Sequence, residues 1–134
     1  MEVKRILLDT NAYVKFLHGD GPVLDALAGA ETVYISVFVV GELLAGFKGG
    51  SKEPHNRKLL SSFLQKSTIK ILSATMDTAE FFASIKDGLR RKGSPIPLND
   101  IWIAAHAMES GSMLVTYDAH FRNVNGLLIW EAAG

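Results

Sequence analysis

The chain contains no cysteine. That absence excludes a disulfide scaffold, a thiolate zinc site and cysteine-based catalysis, and it fits a reducing cytoplasm. It also lacks long apolar runs. No stretch approaches a membrane span, and the apolar segment after Met1-Glu2-Val3-Lys4-Arg5 is too short for a signal peptide. A soluble, intracellular, cytoplasmic protein with no membrane association is expected. Net charge is absent too, with 14 basic residues against 14 acidic. The balance is uneven along the chain. Residues 48–92 hold ten basic and four acidic side chains, and the remainder carries the opposite excess. A basic middle can hold a polyanion while an acidic remainder holds a cation. A solvated helix surface explains the same basic run more simply.

What is present suits a single packed domain over residues 1–134. The length fits one core, and a hydrophobic content of 48% excludes a disordered chain. Short apolar segments alternate with helical ones. Strands are expected at Val3 to Leu8, Thr32 to Ile35, Thr68 to Leu72, Met113 to Thr116 and Leu127 to Trp130. Helices are expected at Asn11 to Leu17 (capped by Thr10 or Asn11), Pro22 to Leu27, and Val37 to about Lys48 behind a Ser36 cap. Further helices should follow over Glu53 to Lys66, from the Asp77/Glu80 capping pair to Lys92, and over Asn99 to Ser110. Such alternation predicts an α/β fold of three layers, with a mostly parallel sheet of about five strands flanked by helices.

Four carboxylates occupy unusual places. Asp9 ends the run Ile6-Leu7-Leu8. Glu42 is the one charged residue between Ser36 and Phe47. Asp100 opens Ile101-Trp102-Ile103-Ala104-Ala105. Asp118 follows Met113-Leu114-Val115-Thr116. Acids beside so much apolar sequence are costly unless something positive meets them. Taken singly, Asp9 and Asp118 also fit turn residues, and Asp100 fits a helix-dipole complement. Glu42 is harder to explain that way, because its i−4, i−3 and i+3 neighbours are Phe38, Val39 and Ala45. In open parallel sheets ligands gather beyond the carboxyl ends of the strands, where Asp9, Asp100 and Asp118 can meet. Converging carboxylates select a hard divalent cation, Mg²⁺ or Mn²⁺, and such ions serve phosphate chemistry. His18, His55, His106 and His120 have no metal-ligand spacing and read as structural or surface residues. Trp102 and Trp130 read as packing residues.

These residues give the chain its resemblance to the PIN-domain nucleases, and within them to the VapC toxins of VapBC toxin–antitoxin pairs. The resemblance is carried by Leu7-Leu8-Asp9-Thr10-Asn11, by the segment from Ser36 to Gly46 around Glu42, by Pro95 to Ala107 around Asp100, and by Leu114-Val115-Thr116-Tyr117-Asp118 with Phe121. It implies that Asp9, Glu42, Asp100 and Asp118 hold Mg²⁺ or Mn²⁺, with Asn11 and Thr116 as polar supports. It implies cleavage of an RNA phosphodiester, with tRNA or ribosomal RNA as the substrate class, and inhibition of translation. A VapB-like antitoxin and a toxin homodimer are the implied partners. Lys52, Arg57, Lys58, Arg90, Arg91 and Lys92 are candidate RNA-backbone contacts. The early helices, with Tyr13, Phe16 and Leu17, and the Val37–Phe47 helix are candidate antitoxin surfaces. A stand-alone PIN ribonuclease in RNA processing or decay has the same chemistry. A haloacid dehalogenase-type phosphatase needs a second Asp where Asn11 stands. A phospho-receiver domain needs an Asp after the third strand, where Leu72-Ser73-Ala74 lies.

Overall fold

The computed structural model describes residues 5–132. The expected strand start at Val3 lies outside them. Four strands, β1 (Arg5–Leu8), β2 (Thr32–Ser36), β3 (Ile69–Leu72) and β4 (Met113–Val115), form one parallel sheet in the order β3-β2-β1-β4. Ile6, Leu7 and Leu8 are all buried rather than alternating, as expected of a central parallel strand covered on both faces. The register pairs Leu7 with Tyr34 on one side and with Leu114 on the other. Strand order reverses at β1, because β2 lies to one side of it and β4 to the other. The gap between β1 and β4 is therefore the switch point of the sheet.

Six helices connect and cover the strands: α1 (Thr10–Leu17), α2 (Gly21–Ala28), α3 (Val37–Phe47), α4 (Glu53–Leu64), α5 (Met76–Lys92) and α6 (Leu98–Ser110). A short 3-10 helix spans Ala119–Asn123. The expected fifth strand at 127–130 contracts to one parallel bridge between Leu114 and Ile129. Leu114 N–H donates to Leu128 O and Trp130 N–H donates to Leu114 O, each at 2.9 Å. With β4 only three residues long, it offers a fifth strand little backbone to pair with.

Caps explain most helix starts. Asp9, not Thr10 or Asn11, caps α1, accepting from Ala12 N–H at 2.8 Å. The α5 capping box is formed by Thr75 and Thr78, while Asp77 sits in the first turn as a favourable charge. At their other ends, α5 and α6 stop at Gly93 and Gly111, both left-handed at φ 68 and 64. The two helices run antiparallel. Thr78 Oγ1 donates to Glu109 Oε1 at 2.6 Å at one end, and Leu89, Ile96 and Ile101 surround a shared cavity at the other. Trp102 packs as expected, stacked on Phe82 at 4.0 Å and on Phe38 at 5.1 Å.

Ser36 ties three elements together. Its hydroxyl accepts from Phe38 N–H at 3.0 Å and pairs with buried His106 Nδ1 at 2.8 Å, while His106 Nε2 meets Ser73 O at 3.2 Å. Burial holds the imidazole below its usual pKa, with the Ser73 carbonyl and Glu109 opposing. His106 is thus a structural histidine that joins α6 to the ends of β2 and β3. Ser36→Ala removes a cap and leaves a buried ring nitrogen unpaired. It is expected to cost about 1–3 kcal/mol in urea unfolding, and an unchanged midpoint would refute the bridging role.

Candidate active site

The acids meet at the switch point. Asp9 is 4% exposed, and its backbone N–H donates to Val115 O at 3.3 Å, which fixes it between β1 and β4. Its carboxylate is held on both oxygens. Oδ1 accepts from Ala12 N–H, and Oδ2 accepts from Thr116 Oγ1 at 2.5 Å. Thr116 is the first residue past β4. Its hydroxyl also accepts from Asp118 N–H at 2.9 Å, so one side chain orients both Asp9 and the turn that carries Asp118.

Glu42 projects from the middle of α3 and finds a partner that its own helix does not supply. Thr10 Oγ1 donates to Glu42 Oε1 at 2.7 Å. Asn11, the expected support, is exposed one position further along, whereas Thr10 makes the contact. Thr10 was legible only as a cap, because its link to Glu42 spans 32 residues of sequence.

Asp100 lies in the first turn of α6, and Asp118 precedes the 3-10 helix. Between them sits His120. Its Nε2 is 2.8 Å from Asp100 Oδ2, and its Nδ1 is 3.2 Å from Asp118 Oδ1. Nε2 is buried, and its approach to Asp100 is close without being aligned as a hydrogen bond. This placement is not readable from histidine spacing, since His120 has no ligand spacing to another histidine. Its only signal is that it lies two residues past an acid.

Electrostatics tie the four acids into one cluster. Burial pushes the Asp9 pKa up to about 6, against the Thr116 and Ala12 hydrogen bonds that lower it. Asp100 and Asp118 raise it further. Asp100 is also raised, first by burial; His120 opposes the shift, and Glu42 and Asp118 add to it. Repulsion of this kind leaves the cluster short of positive charge. One donor atom each from Asp100, Asp118 and His120 lie within 4.8 Å of one another, a spacing that can hold a metal ion. Hard carboxylate oxygens fit Mg²⁺ or Mn²⁺, and a single imidazole nitrogen is compatible with Mn²⁺.

The basic candidates divide into two groups. Lys52, Arg57 and Lys58 are exposed at and after the start of α4, where Arg57 approaches Glu53 at 3.9 Å. Arg90 and Arg91 both pair with Asp87, at 2.7 and 3.0 Å. Lys92 Nζ donates to Asn123 O at 2.8 Å, at the end of the 3-10 helix that begins beside Asp118. This second group lies near the end of α6 that carries Asp100. Of the candidate antitoxin residues, Tyr13 is fully buried and belongs to the core. Val14, Leu17, Leu24 and Val37 are the exposed apolar side chains on α1, α2 and α3. Among the described residues, no helix is long and apolar enough to cross a membrane.

A family model described as the PIN domain matches residues 6–127. Ribonuclease VapC2 from Rickettsia felis is 30% identical over 132 residues, covering 93% of this chain and 97% of that protein. Ribonuclease VapC4 from Mycobacterium tuberculosis is 30% identical over 118 residues, covering 88% and 89%. Among solved structures, VapBC2 from Rickettsia felis bound to a promoter DNA fragment contains a chain that matches with a TM-score of 0.82 and 29% identity, covering 94% of this chain and 97% of that one.

Proposed function

Because the chain belongs to the PIN-domain family, we propose that it is a metal-dependent endoribonuclease, formed by one domain over residues 1–134, and the toxin of a VapBC-type pair. The observation that carries this reading is the cluster at the switch point. Asp9 is buried with its pKa raised to about 6, and Asp100 and Asp118 add to that shift. Related ribonucleases that match nearly end to end, and a structural relative that is a VapBC complex, support the same role.

Asp9, Glu42, Asp100 and Asp118 are the residues that would hold Mg²⁺ or Mn²⁺. When bound, the ion supplies charge neutralisation at the attacked phosphate and a more acidic water. The chain's own residues then position and orient. Thr116 holds Asp9 and the Asp118 turn in one geometry. Thr10 holds Glu42, and Asn11 stands exposed beside them as a support at the mouth. His120 lies between Asp100 and Asp118, 2.8 Å from one carboxylate and 3.2 Å from the other, and would hold the two in fixed relation. Pre-set carboxylates of this kind contribute through positioning and electrostatics.

The substrate class is structured RNA, tRNA or ribosomal RNA, read at single-stranded loops, and its cleavage would stop translation in the cytoplasm. A VapB-like antitoxin would cover the exposed apolar side chains of α1, α2 and α3, and a toxin homodimer is the assembly. Incubating the protein with total RNA and Mg²⁺ or Mn²⁺, then sequencing new 5′ ends, tests the activity. One or few cuts, abolished by EDTA, are expected; cutting that persists in EDTA would overturn the metal mechanism.

Lys52, Arg57, Lys58, Arg90, Arg91 and Lys92 would contact the RNA backbone. Arg91→Ala is expected to raise KM with little change in kcat. It should also make the slope of log affinity against log salt shallower by about 0.7, as for one lost phosphate contact to a single strand. An unchanged slope would remove Arg91 from the interface.

A further inference from the structure

Next to the acid cluster lies a cleft of about 560 Å³ that the metal chemistry leaves unused. Thr116 and Asp118 form the wall it shares with the acids, and Tyr117, Arg122, Trp130 and Glu131 contribute to the rest. We propose that this cleft is a nucleobase subsite, which takes an unstacked base of single-stranded RNA next to the phosphate to be cut. The proposal rests on the nuclease reading above for its substrate, but apart from Asp118 its lining is separate from the acids.

The aromatic pair makes a corner. Tyr117 and Trp130 lie 5.3 Å apart at 80°. A base stacked on one ring would therefore turn its edge toward the other. Tyr117 is 45% exposed, an unusual state for a tyrosine beside a core strand, yet it is not loose. Its hydroxyl donates to Asp20 Oδ2 at 2.6 Å, and Lys15 Nζ lies over the ring, 5.6 Å from its centroid. Trp130 is tied to β4 by its backbone N–H to Leu114 O, and its ring packs against the core and edge-on to Tyr117. Two anchored rings offer stacking area at little cost in side-chain freedom. Base–aromatic stacking is a main source of affinity for single strands and tolerates any base.

Charge around the cleft fits a nucleotide rather than an apolar ligand. Lys15 and exposed Arg122 can meet the flanking phosphates. Arg122 also offers donors, and Glu131 acceptors, to the edge of a base. Because Tyr117 lies between Thr116 and Asp118 in sequence, a base on its ring fixes the strand against both. This makes Tyr117 a positioning residue for the scissile phosphate.

The test titrates wild-type protein, in EDTA, with 5′-AMP, GMP, CMP and UMP at millimolar concentration, and with ribose 5-phosphate as the base-free control. Isothermal titration calorimetry reads occupancy, because it registers nucleotides and ribose 5-phosphate alike. The nucleotides are expected to bind at least about tenfold more tightly than ribose 5-phosphate. Tyr117→Ala should lose about tenfold of that affinity, while Tyr117→Phe, which keeps the ring and gives up the Asp20 bond, should retain it. Equal binding of nucleotides and ribose 5-phosphate, or no effect of Tyr117→Ala, would overturn the subsite. RNA cleavage measured alongside separates the two readings. Nucleotide binding without any metal-dependent cleavage would support the subsite and sink the nuclease. Metal-dependent cleavage with equal nucleotide and ribose 5-phosphate binding would sink the subsite alone.

Discussion

Asp9→Asn is expected to produce a protein that is more stable than the wild type at neutral pH without metal, and that no longer cuts RNA. The two effects share one cause. Burial raises the Asp9 pKa from 3.8 to about 6 in the folded chain, so between those values the folded state binds more protons than the unfolded one. Stability must then fall as pH rises across that window. Above about pH 6 the ionised carboxylate costs the fold on the order of 3 kcal/mol, at 1.36 kcal/mol for each unit of pKa. Asparagine cannot ionise, and its carbonyl oxygen can still accept from Ala12 N–H. The variant should therefore match the wild type near pH 4 and melt roughly 10 °C later at neutral pH. Its cleavage rate should drop by at least about a hundredfold, because a neutral amide cannot supply the charge that holds the ion. Thermal melts in EDTA across this pH range, paired with RNA cleavage, check both halves. Equal melting at every pH would mean that Asp9 is not a poorly compensated buried charge. A retained rate would remove it from the active site.

Asp9, Glu42, Asp100 and Asp118 are conspicuous in the sequence because each interrupts an apolar run, where an acid is costly unless something positive meets it. The sheet was readable for a related reason. Buried parallel strands such as Ile6-Leu7-Leu8 need unbroken apolar runs, and helices must return the chain between them. What stayed hidden depends on contacts across the fold. Thr10 meets Glu42 from another helix. His120 reaches Asp100 only because the 3-10 helix folds back over the start of α6. Caps were misplaced by one to two residues, at Asp9 for α1 and at Thr75 with Thr78 for α5. In both places several capping residues stand side by side, and backbone geometry chooses among them. The fifth strand shortens to one bridge with three-residue β4, and local sequence does not report how short that partner is.

Binding of Mg²⁺ or Mn²⁺ should reverse the penalty that Asp9→Asn relieves. In metal-free wild type, the clustered carboxylates repel one another and Asp9 lacks solvent. An ion bound to the folded state alone stabilises it by about 2.7 kcal/mol at a hundred times its Kd, or roughly 10 °C in melting temperature for a chain of this size. The shift should shrink as pH falls, because protons compete for the same oxygens. Asp9→Asn and Glu42→Gln should each abolish most of it. Asp118→Asn should reduce it too, since Asp118 belongs with Asp100 and His120 to the donor set whose spacing can hold an ion. A large shift in wild type that disappears in Asp9→Asn would place the ion among these carboxylates. A shift of equal size in wild type and in both strong variants would place it elsewhere on the chain, and the metal mechanism would lose its site.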